Sequence, residues 1–179
     1  MMQIYHELEK LLIEFTNDSE NPEINFNLAL EYDRLNQTSS AASLYLRCAE
    51  RTKDKTFQYE CLIRAGLCFR RQGERKYSEK SFWQNALYLL PERPEAYMFM
   101  SQFFSDHAQF HTALTYIRTG EYLAEKENSL PKFRIPITKD YNGLIEFKFK
   151  KLLLTKKCGM THLTDDSKFL NDMADIVSR

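Results

Sequence analysis

The chain has 179 residues with 25 basic and 25 acidic side chains, so its formal net charge is zero. This balance argues against a general polyanion binder, because nucleic-acid-binding domains are as a rule basic. The residues are 43% hydrophobic, the mean hydropathy is −0.53 and no uncharged apolar run is long enough to span a bilayer. We therefore expect a folded, water-soluble protein. Five glycines and five prolines predict long helices with few tight turns.

The first segment, residues 1–20, is predicted to form an N-terminal capping helix. Leu8, Leu11 and Phe15 recur at helical spacing before a polar stretch begins at Thr16. No basic region followed by an apolar run precedes these residues. We therefore expect no export signal and a cytoplasmic location.

From Pro22 onward the sequence repeats a pattern of two helices separated by a polar turn. The spacing of 13 residues between Leu28 and Ala41 returns between Met100 and Ala113. Between these two stretches, a third copy turns at Gly73 and has its second helix displaced by one residue. Small residues on both helices of a unit let the backbones approach closely, and stacked units share a continuous core.

These residues resemble the tetratricopeptide repeat. The matching positions are Leu28, Ala29, Tyr32, Ala41, Tyr45 and Cys48 in the first unit, Gly66, Phe69, Trp83, Ala86 and Pro91 in the second, and Tyr97, Ser101, Phe104 and Ala113 in the third. Asn25, Lys53 and Glu79 depart from the family's pattern. The resemblance implies an all-α, right-handed α-solenoid of about three helix-turn-helix units over residues 21–124. It also implies a non-catalytic interaction or assembly module with a protein or peptide partner.

Beyond the repeats, residues 125–140 are predicted to form an irregular linker, because Pro131 and Pro136 interrupt the helical pattern. Residues 141–179 are predicted to form a C-terminal helical cap. Its first helix covers Tyr141 to Leu154, and a second begins near Thr164.

A narrower resemblance links Arg93-Pro94-Glu95-Ala96 and Lys139-Asp140-Tyr141 to helical regions that accompany glycosyltransferase domains. It implies an alternative role as an accessory helical domain of a glycosyltransferase or other transferase. A remoter alternative rests on the segment from Arg134 to Lys157, whose local charge of +5 would suit an anionic lipid or a nucleic acid. Phe147, Phe149 and Leu152 interleave with its lysines, which is typical of an amphipathic helix with a solvated lysine face.

The sequence contains no pattern that predicts catalysis, a cofactor or a metal. Nucleophile-elbow, zinc-protease and phosphate-loop motifs are missing. His107 and His111 have metal-ligand spacing, but the repeat pattern puts them on either side of a turn. The cysteines Cys48, Cys61, Cys68 and Cys158 match neither a zinc pattern nor a disulfide framework. Most of them are expected to be buried free thiols.

The family's groove positions predict a partner-binding surface on the first helix of each unit. Carried onto this chain, they are Phe26, Leu30, Arg34, Ile63, Leu67, Arg70, Arg71, Met98 and Gln102. Apolar side chains beside arginines would suit an extended or helical peptide that carries an acidic residue. The alternative is that the N-terminal helix or the C-terminal tail fills this groove in cis.

Overall fold

A computed structural model describes residues 2–73, 76–126 and 144–159. Side chains are described from residue 6 in the first segment, from residue 79 in the second and from residue 147 in the third. The described residues form eight helices and no strand. The helices are α1 (Met2–Asn17), α2 (Pro22–Arg34), α3 (Thr38–Arg51), α4 (Lys55–Gln72), α5 (Lys76–Leu89), α6 (Glu95–Asp106), α7 (Phe110–Ala124) and α8 (Leu144–Lys157). The chain divides into two compact units, Met1–Leu90 and Pro91–Arg179. We call these the first and the second unit; each is larger than one helix-turn-helix repeat. The boundary falls inside the segment predicted to be one repeat array.

Local sequence signals explain where the helices of the first unit begin and end. The Asn21 Oδ1 atom accepts a hydrogen bond of 3.0 Å from the backbone N–H of Glu23, and Pro22 opens α2. Asp54 caps α4 in the same way, through a bond of 2.8 Å from the N–H of Thr56. Gly73 ends α4 with a φ of +69°, a conformation that glycine adopts without steric cost.

Successive helices of the first unit pack against one another around small residues. Ala29, Ala41 and Ala86 have no exposed surface, as the repeat pattern predicts. Gly66 lies directly under the indole ring of Trp83, which is itself fully buried. Helix α1 packs on α2 and adds Leu11 to the same core.

The second unit contains α6, α7 and α8. Ser101 of α6 is buried and donates a hydrogen bond of 2.9 Å to the carbonyl oxygen of Ala113 in α7. Helix α8 lies against α7, with the Phe147 ring over Gly120. A hydrogen-bonded ion pair, in which the Lys151 ammonium donates to both carboxylate oxygens of Glu121 at 2.6 Å, joins the same two helices.

Helix α8 ends three residues later than the sequence predicted, at Lys157 instead of Leu154. Thr155 is the first residue beyond the predicted end, and its hydroxyl donates to the Lys151 carbonyl oxygen one turn back, at 2.9 Å. Lys156 and Lys157 complement the negative helix end. The chain leaves the helix at Gly159, with a φ of +72°. The predicted linker from residue 127, the helix predicted near Thr164 and residues 74 and 75 lie outside the described residues.

All four cysteines are free thiols, and Cys48, Cys61 and Cys68 are buried, as predicted. Burial raises the pKa of Cys68 to about 11, and the nearby Asp33 carboxylate contributes to the shift. The Cys68 sulfur lies 3.8 Å from Asp33 Oδ1 and 3.5 Å from Arg71 Nη2. The folded protein therefore keeps this proton at a pH where the unfolded chain has lost it.

We expect this thiol to make the protein less stable in alkali. Between the ordinary thiol pKa of 9.0 and the folded value of about 11, the unfolded state binds fewer protons, so the free energy of unfolding falls as pH rises. The slope is about 1.4 kcal/mol per pH unit for one group. Urea titrations from pH 8 to 10.5 should therefore show a shallower decline for Cys68→Ala than for the wild type. If the free energy of unfolding declines equally with pH in both proteins, Cys68 is not the group responsible.

Candidate functional site

Three of the predicted groove residues are buried, two in the first unit and one in the second. Phe26, Ile63 and Met98 are 2%, 0% and 2% exposed. The Phe26 ring packs edge-on against Tyr45 and Phe57, with centroid distances of 5.7 and 5.0 Å. These side chains therefore belong to the core, and no partner reaches them in this conformation.

The first unit also buries a pair of charged side chains next to Phe26. Glu60 and Arg64 of α4 are 1% and 4% exposed. The Arg64 Nε and Nη2 atoms donate to Glu60 Oε1 at 3.1 and 2.9 Å, and the guanidinium carbon lies 5.5 Å from the centre of the Phe26 ring. A buried pair of this kind holds its geometry through hydrogen bonds and packing. We therefore assign it a structural role.

The remaining groove residues of the first unit reach the surface. Leu30 and Leu67 are half-buried, and Arg70 is partly exposed. The Arg34 and Arg71 side chains are 65% and 44% exposed. We call these five residues the arginine surface: Leu30, Arg34, Leu67, Arg70 and Arg71.

The arginines of this surface lie at helix ends for a local reason. Arg34 is in the last turn of α2, and Arg70 and Arg71 are in the last turn of α4, where cations complement the helix dipole. Arg71 forms an ion pair with Asp33 of α2, which links the two helices. Arg34 pairs with Glu31 at 2.8 Å. Both cations are held in place, and part of each side chain stays exposed.

A cleft between α6 and α8 is the second candidate site. It has a volume of about 170 Å³ and contains the last predicted groove residue, Gln102. Its lining combines apolar, hydroxyl and basic side chains: Ser101, Gln102, Ser105, Phe149, Lys150, Leu153, Leu154 and Lys157. The sequence pattern predicted a solvated face for these lysines and did not indicate this cleft. The signal in the sequence that could have indicated the cleft is the alternation of Phe149 and Leu153 with lysines.

The two histidines with metal-ligand spacing lie on either side of the turn between α6 and α7, as the repeat pattern predicted. His107 follows the end of α6, and its Nδ1 atom is 2.7 Å from the Phe103 carbonyl oxygen. His111 is in the first turn of α7 and is exposed. In the described segments, no three histidine, cysteine or acidic side chains come together as metal ligands would. Nor does any described helix combine the length and apolar character needed to cross a membrane.

No protein-family model matches the chain, and no curated protein is similar in sequence. Solved structures do match its fold. The structure of the MamA protein aligns with a TM-score of 0.71 over 97% of this chain and 82% of the MamA chain, at 12% identity. The chain has a tetratricopeptide-type repeat fold. The predicted all-α class of helix-turn-helix units is thereby confirmed.

Two further structures share this tetratricopeptide-type fold. The hetero-tetramer Cut9–Hcn1 of the APC/C aligns with a TM-score of 0.67 over 98% of this chain and 30% of that chain, at 13% identity. The pilF protein of Pseudomonas aeruginosa gives 0.63 over 94% of this chain and 63% of that chain, at 12% identity. These similarities concern the fold. The accessory-domain role beside a transferase and the anionic ligand of α8 stay predictions.

Proposed function

We propose that this protein is a non-catalytic interaction module that binds a peptide segment on the arginine surface. The observation that carries the proposal is the combination of half-buried Leu30 and Leu67 with the partly exposed arginines at positions 34, 70 and 71. The described residues also contain no cluster of metal-ligand side chains. We also propose a cytoplasmic location, which the sequence predicted.

The chemistry of the surface selects the class of peptide. A guanidinium donates two parallel hydrogen bonds to a carboxylate, which gives both strength and orientation. Leu30 and Leu67 offer apolar area beside these donors, so an apolar side chain next to the acid gains from burial. The preferred ligand is therefore an extended or helical segment with Asp or Glu near a Leu or Phe.

The test starts from a displayed library of random 12-residue peptides, selected on the immobilised full chain. Selected peptides should be enriched in acidic residues beside apolar ones. One such synthetic peptide is then titrated by fluorescence anisotropy against the variant Arg70→Glu/Arg71→Glu. We expect binding to weaken about 100-fold, because two charge-assisted hydrogen bonds are lost.

The matched control is Lys53→Glu/Lys55→Glu, which makes the same change in net charge at exposed positions of the same unit. This control should bind within about two-fold of the wild type. The ion pair of Arg71 with Asp33 is partly exposed and contributes at most about 1 kcal/mol, so the test variant should stay folded by circular dichroism. Equal affinity of all three proteins would refute the arginine surface.

A further inference from the structure

Two buried thiols of the first unit face each other across the contact between α3 and α4. The Cys48 and Cys61 sulfur atoms are 3.1 Å apart, and neither residue has exposed surface. A disulfide bond is about 2.05 Å long, so the two sulfurs need to approach by only about 1 Å. The other two cysteines differ, because Cys68 is held by Asp33 and Arg71, and Cys158 belongs to the other unit.

We propose that Cys48 and Cys61 form an oxidation site, at which a small peroxide converts the two thiols into a disulfide that ties α3 to α4. The inference does not depend on the proposed peptide binding. The modification would be a covalent link across the contact between α3 and α4.

The chemistry needs a two-electron oxidant that fits a closed core, and hydrogen peroxide is small and uncharged. One cysteine thiolate attacks a peroxide oxygen, the O–O bond breaks, and a sulfenic acid and hydroxide form. The second thiolate then attacks the sulfenic sulfur, the S–O bond breaks and the disulfide forms. Two thiols are oxidised, one peroxide is reduced, and the two thiol protons end in two water molecules.

The surroundings of the pair decide both the rate and the product. Burial, with a contribution from the contact with Cys48, raises the pKa of Cys61 far above its ordinary value, so the attacking thiolate is scarce and oxidation should be slow at neutral pH. Once a sulfenic acid forms, however, the second sulfur is already beside it. The disulfide should therefore form before further oxidation to a sulfinic acid.

The experiment treats the full chain carrying Cys158→Ser with hydrogen peroxide under native conditions, followed by alkylation and digestion with trypsin without reductant. Cleavage after Arg47, Arg51, Lys55 and Arg64 separates the two cysteines into peptides 48–51 and 56–64. We expect these peptides to be recovered joined and two hydrogens lighter than their sum. The reaction should be faster at pH 9 than at pH 7, because it requires a thiolate.

Two further measurements test whether the linked peptide comes from a specific disulfide between Cys48 and Cys61. The cross-link closes a loop of about 14 residues, so the oxidised protein should unfold at a temperature on the order of 5–10 °C higher than the reduced one. Cys48→Ser and Cys61→Ser should each abolish the linked peptide, whereas Cys68→Ser should leave it. Recovery of both cysteines as thiols or sulfinic acids, or linkage of Cys61 to Cys68, would overturn the proposal.

Discussion

Gly66→Ala is expected to destabilise the first unit by about 3 kcal/mol, although alanine is the better helix former. A Cβ atom at this position would lie 2.3 Å from Trp83 Nε1 and 2.8 and 2.9 Å from two carbons of the indole ring. Trp83 is fully buried and its Nε1–H donates to the Ile63 carbonyl oxygen at 3.4 Å. The ring therefore has little space into which it can withdraw.

The measurement is urea unfolding monitored by the fluorescence of Trp83, the only tryptophan in the chain, with circular dichroism as a second probe. Gly73→Ala is the matched control, because its Cβ would meet nothing within 4 Å. Its cost should be about 1 kcal/mol, from the positive φ alone. Equal losses in the two variants would show that Gly66 is not needed for close packing.

A double variant separates the steric contact from a general effect of the substitution. Trp83→Phe removes the indole nitrogen and shrinks the ring, so Gly66→Ala should cost less in that background than in the wild type. The difference between the two costs is the coupling between residues 66 and 83. If the stability losses of Gly66→Ala and Trp83→Phe simply add in the double variant, direct contact between the two residues is not the cause of the loss in Gly66→Ala.

The close packing within each unit was predictable from sequence because it depends on residue size at fixed spacing. Ala41, Gly66, Ala86 and Ala113 were assigned as small contact residues, and each is buried. Gly73 was assigned as the turn, and it ends α4. A repeat pattern constrains such positions strongly, since a larger side chain would separate two helix backbones.

The candidate site was less predictable because exposure depends on neighbours that spacing does not reveal. Phe26 has the groove position of its repeat, yet Tyr45 and Phe57 cover it. The cleft between α6 and α8 depends on where α8 packs. Nothing in the sequence pattern of α8 alone predicts that Phe147 packs on Gly120, far away along the chain.

The second large effect on stability is expected in the second unit, where the Phe147 ring packs on Gly120. In Gly120→Ala the new Cβ would lie 2.2 Å from Phe147 Cε1, 2.8 Å from its Cζ and 3.0 Å from the Cβ atom of Tyr97. Phe147 is fully buried, and losing a buried Phe contact costs about 3–5 kcal/mol. We expect α8 to separate from α7 while the contact between α6 and α7 persists.

Hydrogen exchange resolves this outcome helix by helix. Amides of α8 should lose protection by a factor of 100 or more in Gly120→Ala, because 3 kcal/mol corresponds to a factor of about 150 in the opening equilibrium. Amides of α6 should change little, since the hydrogen bond from Ser101 to the Ala113 carbonyl oxygen does not involve α8. Phe147→Ala should reproduce the pattern by removing the ring.

Thr119→Ala is the control on the same helix, because Thr119 is exposed and its hydroxyl donates to the Thr115 carbonyl oxygen one turn back, at 3.1 Å. It should leave exchange in α8 unchanged. Separation of α8 would also open the cleft that Lys150 and Lys157 line, so the stability of this one contact determines whether that cleft exists. Unchanged protection of α8 in Gly120→Ala would show that the Lys151–Glu121 ion pair and the remaining contacts hold the helix without Phe147.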